Sequence, residues 1–180
     1  MASVSSEVYA HPIKFQDNLY IGCKKHINDK FLQDNKINLI INLSGFTLDP
    51  SNCADIINLS LYSDELMSDE LERGRTKIAN ITAKLINYLN EGAVVMIVCD
   101  TGVNKSPVII GYYLLKRGLS PCNVLATINV LSEKAGTNLL TNQSFKKILH
   151  DRTNFCDCWS PIVVEYRPQK DIEDDAPVRQ

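Results

Sequence analysis

The sequence predicts an α/β domain built on a central, mostly parallel sheet flanked by helices, and three observations carry that prediction. Short β-branched runs alternate with stretches of helical periodicity along the chain. The apolar run Val94 to Val98 passes through a tight loop directly into a second apolar pattern from Val108, so a strand, a loop and a helix follow one another. The chain has 180 residues, 44% of them hydrophobic, which suits one domain with a substantial core.

Taken in order, strands are expected at Leu19 to Ile21, Ile37 to Leu43, Ile56 to Leu61 and Ala93 to Val98, several of them bounded by Asn, Ser, Asp, Pro or Gly. After Ser68 come Asp69 and Glu70, then Ile78, Ile81, Leu85 and Leu89 on one helical face, and finally Gly92. This is a cap, an acidic first turn, a buried stripe and a terminating glycine. A second such unit starts at Ser120-Pro121, where serine caps and proline fits the first helical position, and runs through Val124, Leu125, Ile128 and Leu131 to Gly136. A third, shorter helix covers Gln143 to Leu149. Residues 16–156 form the expected domain, with an N-terminal extension at 1–15 and a C-terminal tail at 157–180. The tail carries the acidic stretch Lys170 to Asp175 and reads as solvated, while Trp159 to Tyr166 is more apolar.

Charge and composition narrow the function. Lys and Arg number 19 against 21 Asp and Glu, a net charge of −2, so no basic field is available for a nucleic-acid backbone. No apolar run approaches the roughly 18 residues of a membrane-spanning helix, and Met1 to Glu7 lacks a secretory pattern, so the expected location is cytoplasmic. The cysteines at 23, 53, 99, 122, 156 and 158 lack paired metal-ligand spacing and are expected as reduced thiols, with no metal and no cofactor. His11, His26 and His150 are isolated and read as surface residues.

In a parallel sheet the ligand site lies at the carboxyl ends of the strands, which directs attention to Cys99-Asp100-Thr101-Gly102-Val103-Asn104-Lys105-Ser106-Pro107. Ser106 is a good N-cap and Pro107 a good first helical residue, so the loop is expected to end at the positive end of a helix dipole with unpaired backbone N–H groups. Such a loop binds anions, phosphate above all. The same dipole and amides would stabilise a thiolate on Cys99 and make it a nucleophile near neutral pH.

This segment resembles the signature of the cysteine-dependent protein phosphatases: His-Cys, five residues, Arg, then Ser or Thr. Asn18 to Gly22 resembles that family's opening strand, Ile37 to Leu43 its next strand, Gly111 to Leu115 the helix behind the loop, and Asn142 to Phe145 the start of a late helix. The length is similar to that of the compact dual-specificity phosphatases, over about residues 15 to 150. The resemblance implies that Cys99 attacks phosphorus in line to form a thiophosphate intermediate. It implies that the backbone amides of Asp100, Thr101, Gly102, Val103, Asn104 and Lys105 hold the phosphoryl oxygens and that the Ser106 hydroxyl assists departure of the thiolate. It also implies an upstream aspartate that protonates the leaving oxygen. That position falls on Asp64 or on Ser63 before it, with Asp69 a more distant candidate.

Two departures from the signature bear on activity. Lys105 stands where the family has arginine and supplies charge without the planar fork that grips two oxygens at once. Val98 replaces the histidine that supports the loop. Asp100 adds a negative charge and reads as a solvated loop acid. The expected function is hydrolysis of phosphotyrosine, and by extension phosphoserine or phosphothreonine, in a phosphorylated protein partner, with weakened catalysis. The alternatives are a catalytically dead relative that binds phosphoproteins or acts as a scaffold and, disfavoured by the mild acidity, a phosphatase of RNA 5′ ends.

Overall fold

The computed structural model describes residues 11–48, 53–61 and 68–150, with side chains from residue 71 in the last stretch. Five strands, five α-helices and one 3-10 turn (Lys24–His26) occur among them: β1 (Ile13–Gln16), β2 (Leu19–Cys23), α1 (Asp29–Asp34), β3 (Leu39–Asn42), β4 (Asp55–Asn58), α2 (Ser68–Asn90), β5 (Val95–Cys99), α3 (Lys105–Lys116), α4 (Pro121–Ala135) and α5 (Gln143–His150). The sheet order is β1-β2-β5-β3-β4. β5 pairs in parallel with β2 and β3, β3 pairs in parallel with β4, and only β1 runs antiparallel. The expected mostly parallel α/β architecture is therefore present, with β5 in the middle.

Why these runs become interior strands is visible in the side-chain alternation. Leu19, Ile21, Leu39, Ile41, Val95, Ile97 and Cys99 join the large core that includes residues of α2, α3, α4 and α5. Their neighbours Tyr20, Ile40, Met96 and Val98 face the opposite way, against Leu32 of α1 and Ile37, Leu48 and Ala54. Strands covered on both faces need no polar alternation, which explains their continuous apolar character.

α4 forms as its ends foretell. The Ser120 side chain accepts from the Asn123 backbone N–H (3.3 Å), Pro121 is the first helical residue, and Gly136 closes the helix at φ 65°. α3 is buried along its length from Ser106 to Leu115. Gly111 lets α4 and α5 close on it, since a Cβ there would lie 2.5 Å from Leu149 Cδ1 and 3.3 Å from Ile128 Cδ1. Tyr112 and Tyr113 belong to this core, and burial raises the Tyr112 hydroxyl above its ordinary value of 10.0.

Several expectations are corrected. β1 begins at Ile13, so the sheet starts inside the stretch assigned to the N-terminal extension at 1–15. β1 is an edge strand with one buried residue and a register shift between Lys14 and Gln16, which leaves no apolar run to read. α1 is six residues long, too short to display periodicity, and is held by the Asn28 side chain accepting from the Phe31 N–H (2.9 Å). β4 covers Asp55–Asn58, and the apolar residues after it are joined to β3 by bonds from Leu59 to Asn42 and from Leu61 to Leu43. His26 is not a surface residue: it is buried, and its Nδ1 accepts from the Cys23 backbone N–H (3.1 Å). That bond leaves the proton of the neutral ring on Nε2. His11 and His150 are exposed. No helix among the described residues is long and apolar enough to cross a membrane.

Candidate active site

β5 carries Cys99 to the carboxyl edge at the centre of the sheet, flanked by β2 and β3. Leu43 N–H donates to the Val98 carbonyl (2.8 Å), which keeps the β3 side of the strand zipped to its end. Val98 points into the α1 face and is 1% exposed, so its apolar side chain is accommodated as core. Cys99 faces the other way, toward α3, and is 2% exposed.

The five residues Asp100 to Asn104 then reverse the chain into α3. Gly102 makes the turn at φ 78°, a conformation that side-chain-bearing residues rarely adopt. Thr101 Oγ1 accepts from the Val103 N–H (3.4 Å). From outside, the loop is fastened to the segment that precedes α5: the Leu140 N–H donates to the Val103 carbonyl (2.7 Å), and Asn104 Oδ1 accepts from the Asn142 N–H (2.9 Å) and the Thr141 hydroxyl (3.2 Å).

Those bonds change the helix start. α3 begins at Lys105 with Asn104 in the cap position, two residues earlier than the expected Ser106 cap, which places Ser106 and Pro107 inside the first turn. The Asn104 side chain is engaged with 141 and 142 and makes no capping bond. Helix geometry gives the first-turn N–H groups no internal acceptor, an arrangement that favours an anion at the positive end of the dipole. Ser106 is fully buried and its Oγ has no partner among the described residues. A buried hydroxyl without a partner is costly unless a bound group completes it.

Lys105 and Asp100, the two charged side chains of the loop, meet each other. Lys105 Nζ lies 2.7 Å from Asp100 Oδ2, with the side chains 13% and 38% exposed. Asp100 is thus an ion-pair partner within the loop and not the freely solvated acid that the sequence suggested. Cys23 is the register partner of Cys99 on β2, and both thiols are free and buried. Burial pushes the Cys23 thiol up from its ordinary value of 9.0, against lowering by the backbone N–H groups of Lys25 and His26. At the same edge, Lys24 Nζ sits 5.8 Å from the centroid of the exposed Phe46 ring.

The structure thus brings Cys99, Asp100, Thr101, Gly102, Val103, Asn104, Lys105 and Ser106 into one loop at one strand end. Asp64 and Ser63 lie outside the described residues, and Asp69 is within α2 with its side chain undescribed. Sequence reasoning overlooked Asn104 as a fastener and His26 as a buried neighbour of Cys23. Neither leaves a periodic signal, because each bond joins a side chain to a backbone N–H.

With this geometry in hand, comparison with known proteins is informative. The family model for the dual specificity phosphatase catalytic domain matches residues 19–155. No curated protein matches the sequence. Among solved structures, the tyrosine phosphatase OH1 from the Orf virus is similar at TM-score 0.63 and 14% identity, covering 79% of this chain and 86% of that one. Human DUSP28 is similar at TM-score 0.60 and 16% identity, covering 77% and 89%. The human tyrosine phosphatase-like serine/threonine/tyrosine-interacting protein is similar at TM-score 0.59 and 14% identity, covering 77% and 93%. At such identities these likenesses establish the fold.

Proposed function

The chain belongs to the dual specificity phosphatase catalytic-domain family, and from that premise we propose that it hydrolyses phosphotyrosine, and more slowly phosphoserine or phosphothreonine, in protein substrates, with Cys99 as nucleophile. The observation that carries the reading is the end of β5: a buried thiol, an uncapped helix start and the partnerless Ser106 hydroxyl converge on one short loop.

In this mechanism the Cys99 sulfur attacks phosphorus as the bond to the leaving oxygen breaks, and the leaving oxygen takes a proton from Asp64. The amides of residues 100–105 hold the equatorial oxygens, with Lys105 supplying the one cationic side chain of the loop. Water then attacks the thiophosphate phosphorus and gives a proton to the Asp64 carboxylate as the S–P bond breaks, and the Ser106 hydroxyl hydrogen-bonds to the departing thiolate. No metal or cofactor takes part. The resemblance to the family supports these roles for Ser106 and for an acid at Asp64, with Ser63 the alternative alignment and Asp69 the more distant candidate.

A second reading, a phosphoprotein-binding relative without turnover, is favoured by one observation: the ammonium at the family's arginine position is already engaged by Asp100. Hydrolysis of a phosphotyrosine peptide by the purified protein separates the two. The expected result is slow phosphate release that disappears in Cys99→Ser. No release, with phosphopeptide binding retained, would establish the second reading.

A further inference from the structure

We propose that Asp100 sets the phosphate affinity and the charge selectivity of this loop by competing with phosphoryl oxygens for Lys105. The inference rests on reading residues 99–106 as a phosphate site.

The loop closes on itself through its two charged ends. Asp100 follows the nucleophile position at the end of β5, Lys105 opens α3, and the turn at Gly102 brings their side chains to 2.7 Å. The ammonium is mostly withdrawn from solvent, at 13% exposure, so the pair is less screened than one on an open surface. The charges of these two side chains cancel, and the remaining attraction for an anion comes from backbone N–H groups and the α3 dipole.

A lysine makes this cancellation matter. An arginine fork presents five donors on two edges and can hold a carboxylate on one and a phosphoryl group on the other. An ammonium is a compact point charge, and a carboxylate in contact with it reduces the field that a ligand meets. An incoming phosphoryl group must share the ammonium with Asp100 while being repelled by the carboxylate. That repulsion scales with ligand charge, so it acts on a dianion about twice as strongly, in free energy, as on a monoanion of the same shape.

The test compares two tetrahedral oxyanions that differ by one charge, tungstate (two negative charges) and perrhenate (one), binding to the full chain by calorimetry. Asp100→Asn is expected to bind tungstate about tenfold tighter than the wild type, and perrhenate only about threefold tighter. Asp100→Ser, which also lacks the carboxylate, should follow the same pattern, and matching thermal unfolding of the variants would show that the fold is kept. Weaker tungstate binding in Asp100→Asn would mean that the carboxylate positions Lys105 for the ligand, and would overturn the inference. Equal gains for the two anions would indicate a change of loop shape and would also overturn it. If the wild type binds tungstate but the variants show no gain, the inference fails and the phosphate-site reading stands. If no variant binds either anion, both fail.

Discussion

Lys105→Arg is expected to raise the turnover of a phosphotyrosine peptide by about 10- to 100-fold, at or below the lower end of the roughly 10²–10³ that one well-placed electrostatic contact contributes to a transition state, because lysine already supplies part of it. The backbone around position 105 is already arranged for the exchange. The loop is fastened through Val103 and Asn104 to residues 140–142, so a longer side chain need not reshape it. A guanidinium at this position could keep one edge on Asp100, which lies 2.7 Å from the present ammonium, and offer the other to two phosphoryl oxygens. Steady-state kinetics should show the gain mainly in kcat, because the second contact strengthens as charge builds on the transferring group. An unchanged kcat would place the limitation elsewhere, at Val98 or in the segment that holds Asp64.

Phe145→Ala should cost about 3–5 kcal/mol of stability, the range for deleting a fully buried aromatic side chain. Phe145 is 0% exposed and belongs to the core shared by α3, α4 and α5. Its backbone N–H donates to Asn142 Oδ1 (3.1 Å), and the Asn142 N–H in turn donates to Asn104 Oδ1 (2.9 Å). Packing beneath α5 therefore reaches the loop between β5 and α3 through two hydrogen bonds. Urea denaturation measures the loss, and a change below about 1 kcal/mol would show that this core does not hold α5 in place.

How much of this was legible depends on what each element buries. β5 and the body of α3 could be read from their long apolar runs, and α4 because its end signals Ser120, Pro121 and Gly136 coincide with real boundaries. β1 and α1 could not, because each buries a single residue, Ile13 and Leu32 respectively, and one residue makes no pattern. The beginning of α3 was misplaced because Ser106-Pro107 is a strong local start signal, while the Asn104 bonds to residues 141 and 142 that shape the loop are made 37 and 38 residues along the chain. Cys99 and its loop were visible as a strand-to-helix junction. The ion pair that qualifies the loop's charge was not, since a five-residue spacing across an irregular turn does not say whether two side chains point together. His26 was hidden for the same reason: its partner is a backbone N–H.

The central claim is that Cys99 accepts the phosphoryl group, and the direct measurement is to catch it there. A phosphotyrosine peptide carrying labelled phosphate would be mixed with the wild type and with Lys105→Arg, quenched in mid-turnover, and each protein mapped for the label. Labelled phosphate is expected on the Cys99 peptide in both proteins. Phosphate released without label on Cys99, or no label in either protein, would contradict that claim.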